Sequence, residues 1–556
     1  MAESAAPVDP RVDLEALEAA VTRRLESWSR EGFAQRFWRK DPGLWPAAPP
    51  AEVGARMGWL DLPTAMKERV APLTEFADEV REDGFERVVV LGMGGSSLAP
   101  DVLGRSFGHA RGHPVLHVLD STHPDAVRRA VADCEIERIL FLVSSKSGTT
   151  LEPNSFFAYF WKEVSTASDD PGQQFCAITD EDTPLDTLAA EKGFRQCFRA
   201  RSDVGGRYSA LTEFGLVPAA LLGIPIGRLL ERAERMALEC GPEGEISKNP
   251  GLKLGAELGE LALAGRDKVT FLASATIGSF PAWAEQLIAE STGKAGKGIV
   301  PIAGEVDPFG SFDAHDRVFA YLTLRGEEDE RVDDALAKAE GTGTPGLVCE
   351  LADRLDLGRE FLRWEIAIAA AGAVIGIDPF DQPDVELAKE LARQAMAPSA
   401  GGAQISTLRR VRADDAEGLG QAIRPWMASA RPDDYVVVQA FLDPNPSVDA
   451  ALGGIRRALR TRLRLSTTLG YGPRFLHSTG QLHKGGPNSG LFLQLVGEMR
   501  EDLTVPPGST SFGRILRAQA DGDALALQQK GRRIAGVELG TDVGAGLAAI
   551  EAIVNS

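Results

Sequence analysis

The stretch Val88-Val89-Val90-Leu91-Gly92-Met93-Gly94-Gly95-Ser96-Ser97-Leu98-Ala99-Pro100 decides how the rest of the chain is read. A short apolar, β-branched run predicts a buried strand, a glycine-rich turn follows at once, and helical spacing resumes from Leu98. Glycines at such a turn let a ligand approach the backbone closely. The amides and the hydroxyls of Ser96 and Ser97 can then face an anion at the start of the helix. The turn is not a dinucleotide fingerprint, because Ser97 stands where the third glycine belongs, and it lacks the Lys-Ser/Thr ending of a P-loop. Taken alone, it reads equally well as a tight strand-to-helix connection.

Outward from this stretch, the same alternation repeats. Strand-like runs at 115–119, 139–143 and 175–178 are each followed by turn residues and a helical segment, which predicts a parallel α/β sheet. A second series occupies 269–273, 299–302, 318–324 and 348–351, with helical stretches at 254–263 and 360–374, and a helical connection at 224–240 joins the two series. Before them, apolar residues recur at helical spacing over 14–38, ahead of a Pro-rich turn at 41–51. After them, 397–405 is small and flexible, and a further strand (434–442) and helix (448–464) suggest an appendage that completes the second sheet. The expected division is a helical arm at 1–60, α/β domains at 61–235 and 236–430, and a C-terminal segment at 431–556.

The chain has 556 residues, 44% hydrophobic and 25% charged, which suits a folded multidomain protein. Lys and Arg number 60 against 80 Asp and Glu, for a net charge of −20, so nucleic acid is not an expected partner. An anionic substrate must be caught by a local device. Five scattered cysteines (Cys134, Cys176, Cys197, Cys240, Cys349) form no CxxC pair and read as reduced thiols. The first residues lack a signal-peptide pattern and the longest apolar run, 366–377, is too short for a bilayer, so a cytoplasmic, non-membrane protein is expected.

Five further segments carry possible chemistry. Ser144-Ser145-Lys146-Ser147-Gly148-Thr149-Thr150-Leu151-Glu152 follows a predicted strand and offers five hydroxyls and a cation with little bulk, which suits a phosphomonoester. Glu152 lies past that loop. In Gly205-Gly206-Arg207-Tyr208-Ser209, Arg207 can donate to a developing oxyanion, or simply be solvated. In Gln286-Leu287-Ile288-Ala289-Glu290-Ser291-Thr292-Gly293-Lys294, Gln286 and Glu290 share one face near a helix end. Phe380-Asp381-Gln382-Pro383-Asp384-Val385-Glu386-Leu387-Ala388-Lys389 places Lys389 two turns into a helix after the turn bearing Gln382. Leu476-His477-Ser478-Thr479-Gly480-Gln481-Leu482-His483-Lys484-Gly485-Gly486 gathers two of the chain's seven histidines, six apart and without a nearby carboxylate, a poor metal site.

In this order, the GMGGSSLAP, SSKSGTTLE, GGRYS, QLIAESTGK and FDQPDVELAK segments resemble the signature segments of glucose-6-phosphate isomerases. The resemblance is closest to the isomerase half of bifunctional transaldolase/glucose-6-phosphate isomerase proteins. It implies two sugar-isomerase (SIS) αβα sandwich domains and reversible conversion of glucose 6-phosphate and fructose 6-phosphate through a cis-enediol, without cofactor or metal. It further implies that Gly95, Ser96, Ser145, Ser147 and Thr150, with Lys146 in the same loop, hold the phosphate. Glu290 is implied as the base, Arg207 as the enediolate partner, and Gln286, Gln382 and Lys389 as residues lining the sugar. A homodimer is implied, with the histidine segment supplied by the partner. Family order puts the ring-opening histidine between the base and the FDQ segment, where this chain has only His315. The HSTGQLHKGG segment is therefore expected to supply it, through His477 first and His483 second. Two alternatives remain: a dual glucose/mannose 6-phosphate isomerase, and a phosphosugar-sensing module that needs the loops but no base.

Overall fold

The computed structural model describes residues 14–305, 315–342, 344–385, 387, 390–391, 408–508 and 510–556. The first α/β unit is a five-stranded parallel sheet in the order β2-β1-β3-β4-β5, built from β1 (Arg87–Gly92), β2 (Val115–Leu119), β3 (Ile139–Ser144), β4 (Phe175–Asp180) and β5 (Gln196–Ala200). Its central strands β1 and β3 are apolar and buried nearly throughout, as strands covered on both faces must be. The second sheet, in the order β7-β6-β8-β9, comprises β6 (Lys268–Ala273), β7 (Val300–Ile302), β8 (Arg317–Leu324) and β9 (Gly346–Leu351). Its strands too are all parallel. The elements expected from the alternation are therefore present, and the protein is an α/β molecule with parallel sheets.

The C-terminal portion differs from the expected appendage. β10 (Val411–Arg412), β11 (Tyr435–Phe441), β12 (Ser466–Tyr471), β13 (Gly490–Val496) and β16 (Arg533–Glu538) form a third parallel sheet in the order β10-β16-β13-β11-β12. The short strands β14 (Thr504–Val505) and β15 (Thr510–Ser511) make a separate antiparallel ribbon. The reason lies in the crossovers: helices Pro446–Leu463 and Phe512–Gln529 intervene between strands, so this part of the chain can build a sheet alone. It meets the second unit through side chains. Arg456 donates to the carbonyls of Gly304 and Ala303 at 2.9 and 3.1 Å, and Glu305 accepts from the Thr467 amide and hydroxyl, both at 2.8 Å.

The N-terminal helical run is real but broken: helices Leu14–Glu31 and Phe33–Trp38 are separated by Gly32 at φ +63°, a left-handed conformation that ends the first helix. Beyond it, Trp59 stacks on Tyr208 with ring centroids 5.1 Å apart, and Trp45 meets Phe380 edge-on at 5.1 Å. These aromatic contacts clamp the GGRYS turn and the FDQ turn from behind. The small-residue stretch 397–405 lies outside the described residues.

Candidate functional site

After β1, the chain turns through Gly94–Ser96 into helix Leu98–Phe107. Gly94 sits at φ +53°, and a Cβ there would lie 2.7 Å from the His477 carbonyl oxygen. A Cβ on Gly95 would overlap the Gly206 carbonyl, so the first glycine turn and the GGRYS turn touch backbone to backbone. Ser96 is buried. After β3, the second loop leads into helix Leu151–Ala167. Here the Ser145 and Thr150 hydroxyls lie 3.1 Å apart, Ser147 and Thr149 lie 2.9 Å apart, and Gly148 takes φ +66° to pass the backbone of Leu185. Lys146 is engaged elsewhere. Its ammonium pairs with Asp180 at the end of β4 and donates to the Arg201 carbonyl at 3.2 Å. Burial draws its pKa below the usual lysine range in spite of Asp180.

Helix Phe280–Thr292 presents Gln286 and Glu290 one turn apart, as their spacing predicts. The Gln286 amide nitrogen donates to Glu290 Oε2 at 3.0 Å and to the His477 carbonyl at 2.9 Å. Arg207, 3% exposed, stands opposite, with Nη1 3.4 Å from Glu290 Oε1. Its guanidinium is fixed on all sides: it donates to Ser291 Oγ at 2.8 Å, Gln382 Oε1 at 3.0 Å, and the carbonyls of Pro379 and Asp381 at 2.7 and 3.0 Å. Such immobilisation preorganises a cation beside a carboxylate that remains 15% exposed and open to a ligand.

His477 closes the site. Its Nε2 lies 2.8 Å from Glu152 Oε1. Burial raises the Glu152 pKa, but the neighbouring imidazole, together with hydrogen bonds from the helix-start amide and Gln519, holds the carboxyl below its usual range. Glu152 is the functional candidate that sequence reading misses, since by sequence it lies past its loop. The available signal is its place at the end of the SSKSGTTLE segment, in the first turn of the following helix. His477 reaches Glu152 of its own chain, whereas the resemblance implies a partner's histidine; the third sheet carries the segment to the site within one chain. His483 points into the core between the rings of Phe475 and Phe492, and burial drives its pKa well below the ordinary imidazole value. His315 is exposed and pairs with Asp433 at 2.7 Å. Lys389 lies outside the described residues.

The sequence model of the family described as Phosphoglucose isomerase matches residues 73–299, which include both loops, Arg207, Gln286 and Glu290. A glucose-6-phosphate isomerase of Bacillus cereus (strain AH187) is 30% identical over 385 residues, covering 85% of that protein and 60% of this chain. The chain belongs to the glucose-6-phosphate isomerase family. A second member, from Rubrobacter xylanophilus, is 29% identical over 400 residues, covering 89% of that protein and 61% of this chain. Among solved structures, a glucose-6-phosphate isomerase from Chlamydia trachomatis shares the fold at a TM-score of 0.52 and 22% identity, over 59% of this chain and 72% of that one. A hypothetical protein from Thermus thermophilus aligns at a TM-score of 0.56 and 25% identity, over 69% of this chain and 97% of that one. Each of these family matches leaves a large share of the present chain uncovered.

Proposed function

We propose that the protein interconverts glucose 6-phosphate and fructose 6-phosphate through a cis-enediolate, with Glu290 moving the proton between C2 and C1. The observation that carries this reading is the convergence of Glu290, immobilised Arg207, Gln286 and the His477–Glu152 pair beside two hydroxyl-rich loops. Gly95, Ser96, Ser145, Ser147 and Thr150 receive the phosphate. Lys146 braces their loop through Asp180 rather than serving as its free cation. The phosphate undergoes no chemistry, but its binding energy sets C1 and C2 over Glu290.

Ring opening falls to His477. With Nε2 turned to Glu152, its Nδ1 is left for the sugar ring oxygen, and imidazole is suited to proton transfer near neutral pH. Glu290 then takes the C2 proton, Arg207 compensates the charge that develops on the enediolate oxygen, and the proton returns at C1. Gln286 and Gln382 line the sugar, a role the resemblance also implies for Lys389. A soluble homodimer in the cytoplasm is the setting proposed for this activity.

The test is a coupled assay of fructose 6-phosphate conversion with purified, EDTA-treated protein, run beside His477→Ala. Wild-type turnover with a ~10²-fold or larger loss in His477→Ala is expected, in the range of a general acid-base group. An inactive wild type that still binds the phosphosugar would replace this reading with that of a sensing module.

A further inference from the structure

Glu152 Oε1, the oxygen that faces His477, accepts a second hydrogen bond. The Gln519 side-chain nitrogen donates to it at 2.6 Å. The Gln519 amide oxygen in turn accepts from the Thr122 hydroxyl at 3.1 Å. Thr122 is 0% exposed, Glu152 3% and Gln519 5%, so this chain of bonds is shielded from water. Its direction is set by the carboxylate, which only accepts: the Gln519 amide nitrogen must face Glu152, and the amide oxygen is left to accept from the Thr122 hydroxyl. The three residues come from three elements, namely the loop after β2, the first turn of helix Leu151–Ala167, and the middle of helix Phe512–Gln529. The two helices are registered by Phe512, which stacks on Phe156 at 5.7 Å and meets Tyr159 edge-on at 5.8 Å.

We propose that Gln519 is a positioning residue for ring opening, aiming the Glu152 carboxylate at His477 through the Thr122–Gln519–Glu152–His477 chain. The proposal rests on the reading of His477 and Glu152 as the ring-opening pair. A neutral amide suits this place. It compensates a buried carboxylate without bringing a proton of its own into the titration, and a donor to the charged form keeps that form favoured. The groups that bear on the Glu152 charge are the His477 imidazole, the Gln519 amide and the helix-start backbone amide of Glu152 itself, so His477 is its titratable neighbour. The helix that delivers Gln519 belongs to the C-terminal portion. That portion thus reaches the site twice, once with His477 and once from behind with Gln519.

The experiment compares Gln519→Met, close in shape but with no donor, and Thr122→Val, which keeps Gln519 but removes the hydroxyl that holds its amide oxygen in place, with His477→Ala and Glu152→Gln. Anomerisation of glucose 6-phosphate is followed by NMR magnetisation transfer, and kcat/KM is followed against pH. Affinity for a linear aldonic acid 5-phosphate, which resembles the enediolate and needs no ring opening, is measured alongside. Loss of the donor makes Glu152 easier to protonate. In Gln519→Met the acid limb of kcat/KM should therefore move to higher pH, anomerisation should fall ~10-fold, and linear-inhibitor affinity should hold. Thr122→Val should move the limb the same way but less, and it keeps the test open if Gln519→Met does not fold. An unmoved limb in both variants, or an equal loss at every pH with weakened inhibitor binding, overturns the proposal by reducing Gln519 to packing. Unchanged anomerisation in His477→Ala and Glu152→Gln would instead overturn the ring-opening assignment beneath it.

Discussion

The first and second sheets contain the same local unit: a central strand, a one-turn connection and a helix. In the first, β1 leads through Gly94–Ser96 into helix Leu98–Phe107; in the second, β6 leads through Ala275–Ile277 into helix Phe280–Thr292. Their turns are used differently. Among the described residues, no carboxylate bonds a backbone amide of the Gly94–Ser96 turn. In the second unit the Thr276 amide donates to Glu327 Oε1 at 3.0 Å, and Ser274 Oγ is taken by the Leu324 amide at 3.0 Å. The second turn is thus occupied by the protein's own anion. Its helix serves the site from the other end, where Gln286 and Glu290 stand near the Thr292 terminus. In the proposed reading, one unit offers a helix start to a ligand's charge. The other closes that start and offers a helix end carrying the carboxylate proposed as the base.

The strongest way to break this contrast is to strike the far end of the second helix. Glu290→Gln keeps the shape and the hydrogen bond to Gln286 but cannot accept the C2 proton, so kcat should fall by ~10³- to 10⁴-fold while the linear aldonate 5-phosphate still binds. Turnover near that of the wild type would remove Glu290 from the chemistry. The next largest effect belongs to the helix starts. Ser145→Ala with Thr150→Ala should raise KM for fructose 6-phosphate ~10-fold or more, since hydrogen bonds to a charged group are worth ~1.5–3 kcal/mol each. Ser274→Ala with Thr276→Ala should leave KM unchanged. Equal effects of the two pairs would mean that the second unit's turn meets the substrate as the first sheet's loop after β3 does, and the contrast would fail.

What is legible in the sequence divides along the same line. The β1 stretch and the Gln286/Glu290 pair are readable because strand, turn and helix periodicity are local, and residues four apart on a helix must share a face. The His477–Glu152 pair joins residues 325 apart, and no local pattern announces such a meeting. Only the resemblance points to His477, the one signal for Glu152 is its place at the end of the SSKSGTTLE segment, and nothing in the sequence points to Gln519. Lys146 shows a different limit. A lysine among hydroxyls suggests a phosphate cation, but its long stem reaches Asp180 at the end of the neighbouring strand, a choice made by tertiary contact. The third sheet is half visible: the 434–442 run announces β11, but the strands that pair with it carry no equally plain signal, so its helices read as part of the second sheet.

The smallest effect is the most direct probe of the closed turn. Glu327→Ala removes the carboxylate from the Thr276 amide and leaves a helix-start donor without its anion. The loss should be about 1 kcal/mol of stability, near the value of a charge at a helix N-terminus. In a chain of this size that lowers the melting temperature by roughly 2–4 °C or less. The informative part is what restores it. If the turn is an anion site sealed by Glu327, inorganic phosphate should raise the melting temperature of Glu327→Ala above its effect on wild type, following mass action on the newly opened site. KM for fructose 6-phosphate should not move, because the opened turn lies at the wrong end of the helix that bears Glu290. Equal phosphate stabilisation of both proteins would show that the Thr276 turn has no anion-binding capacity of its own, and the likeness between the two units would then be one of chain path alone.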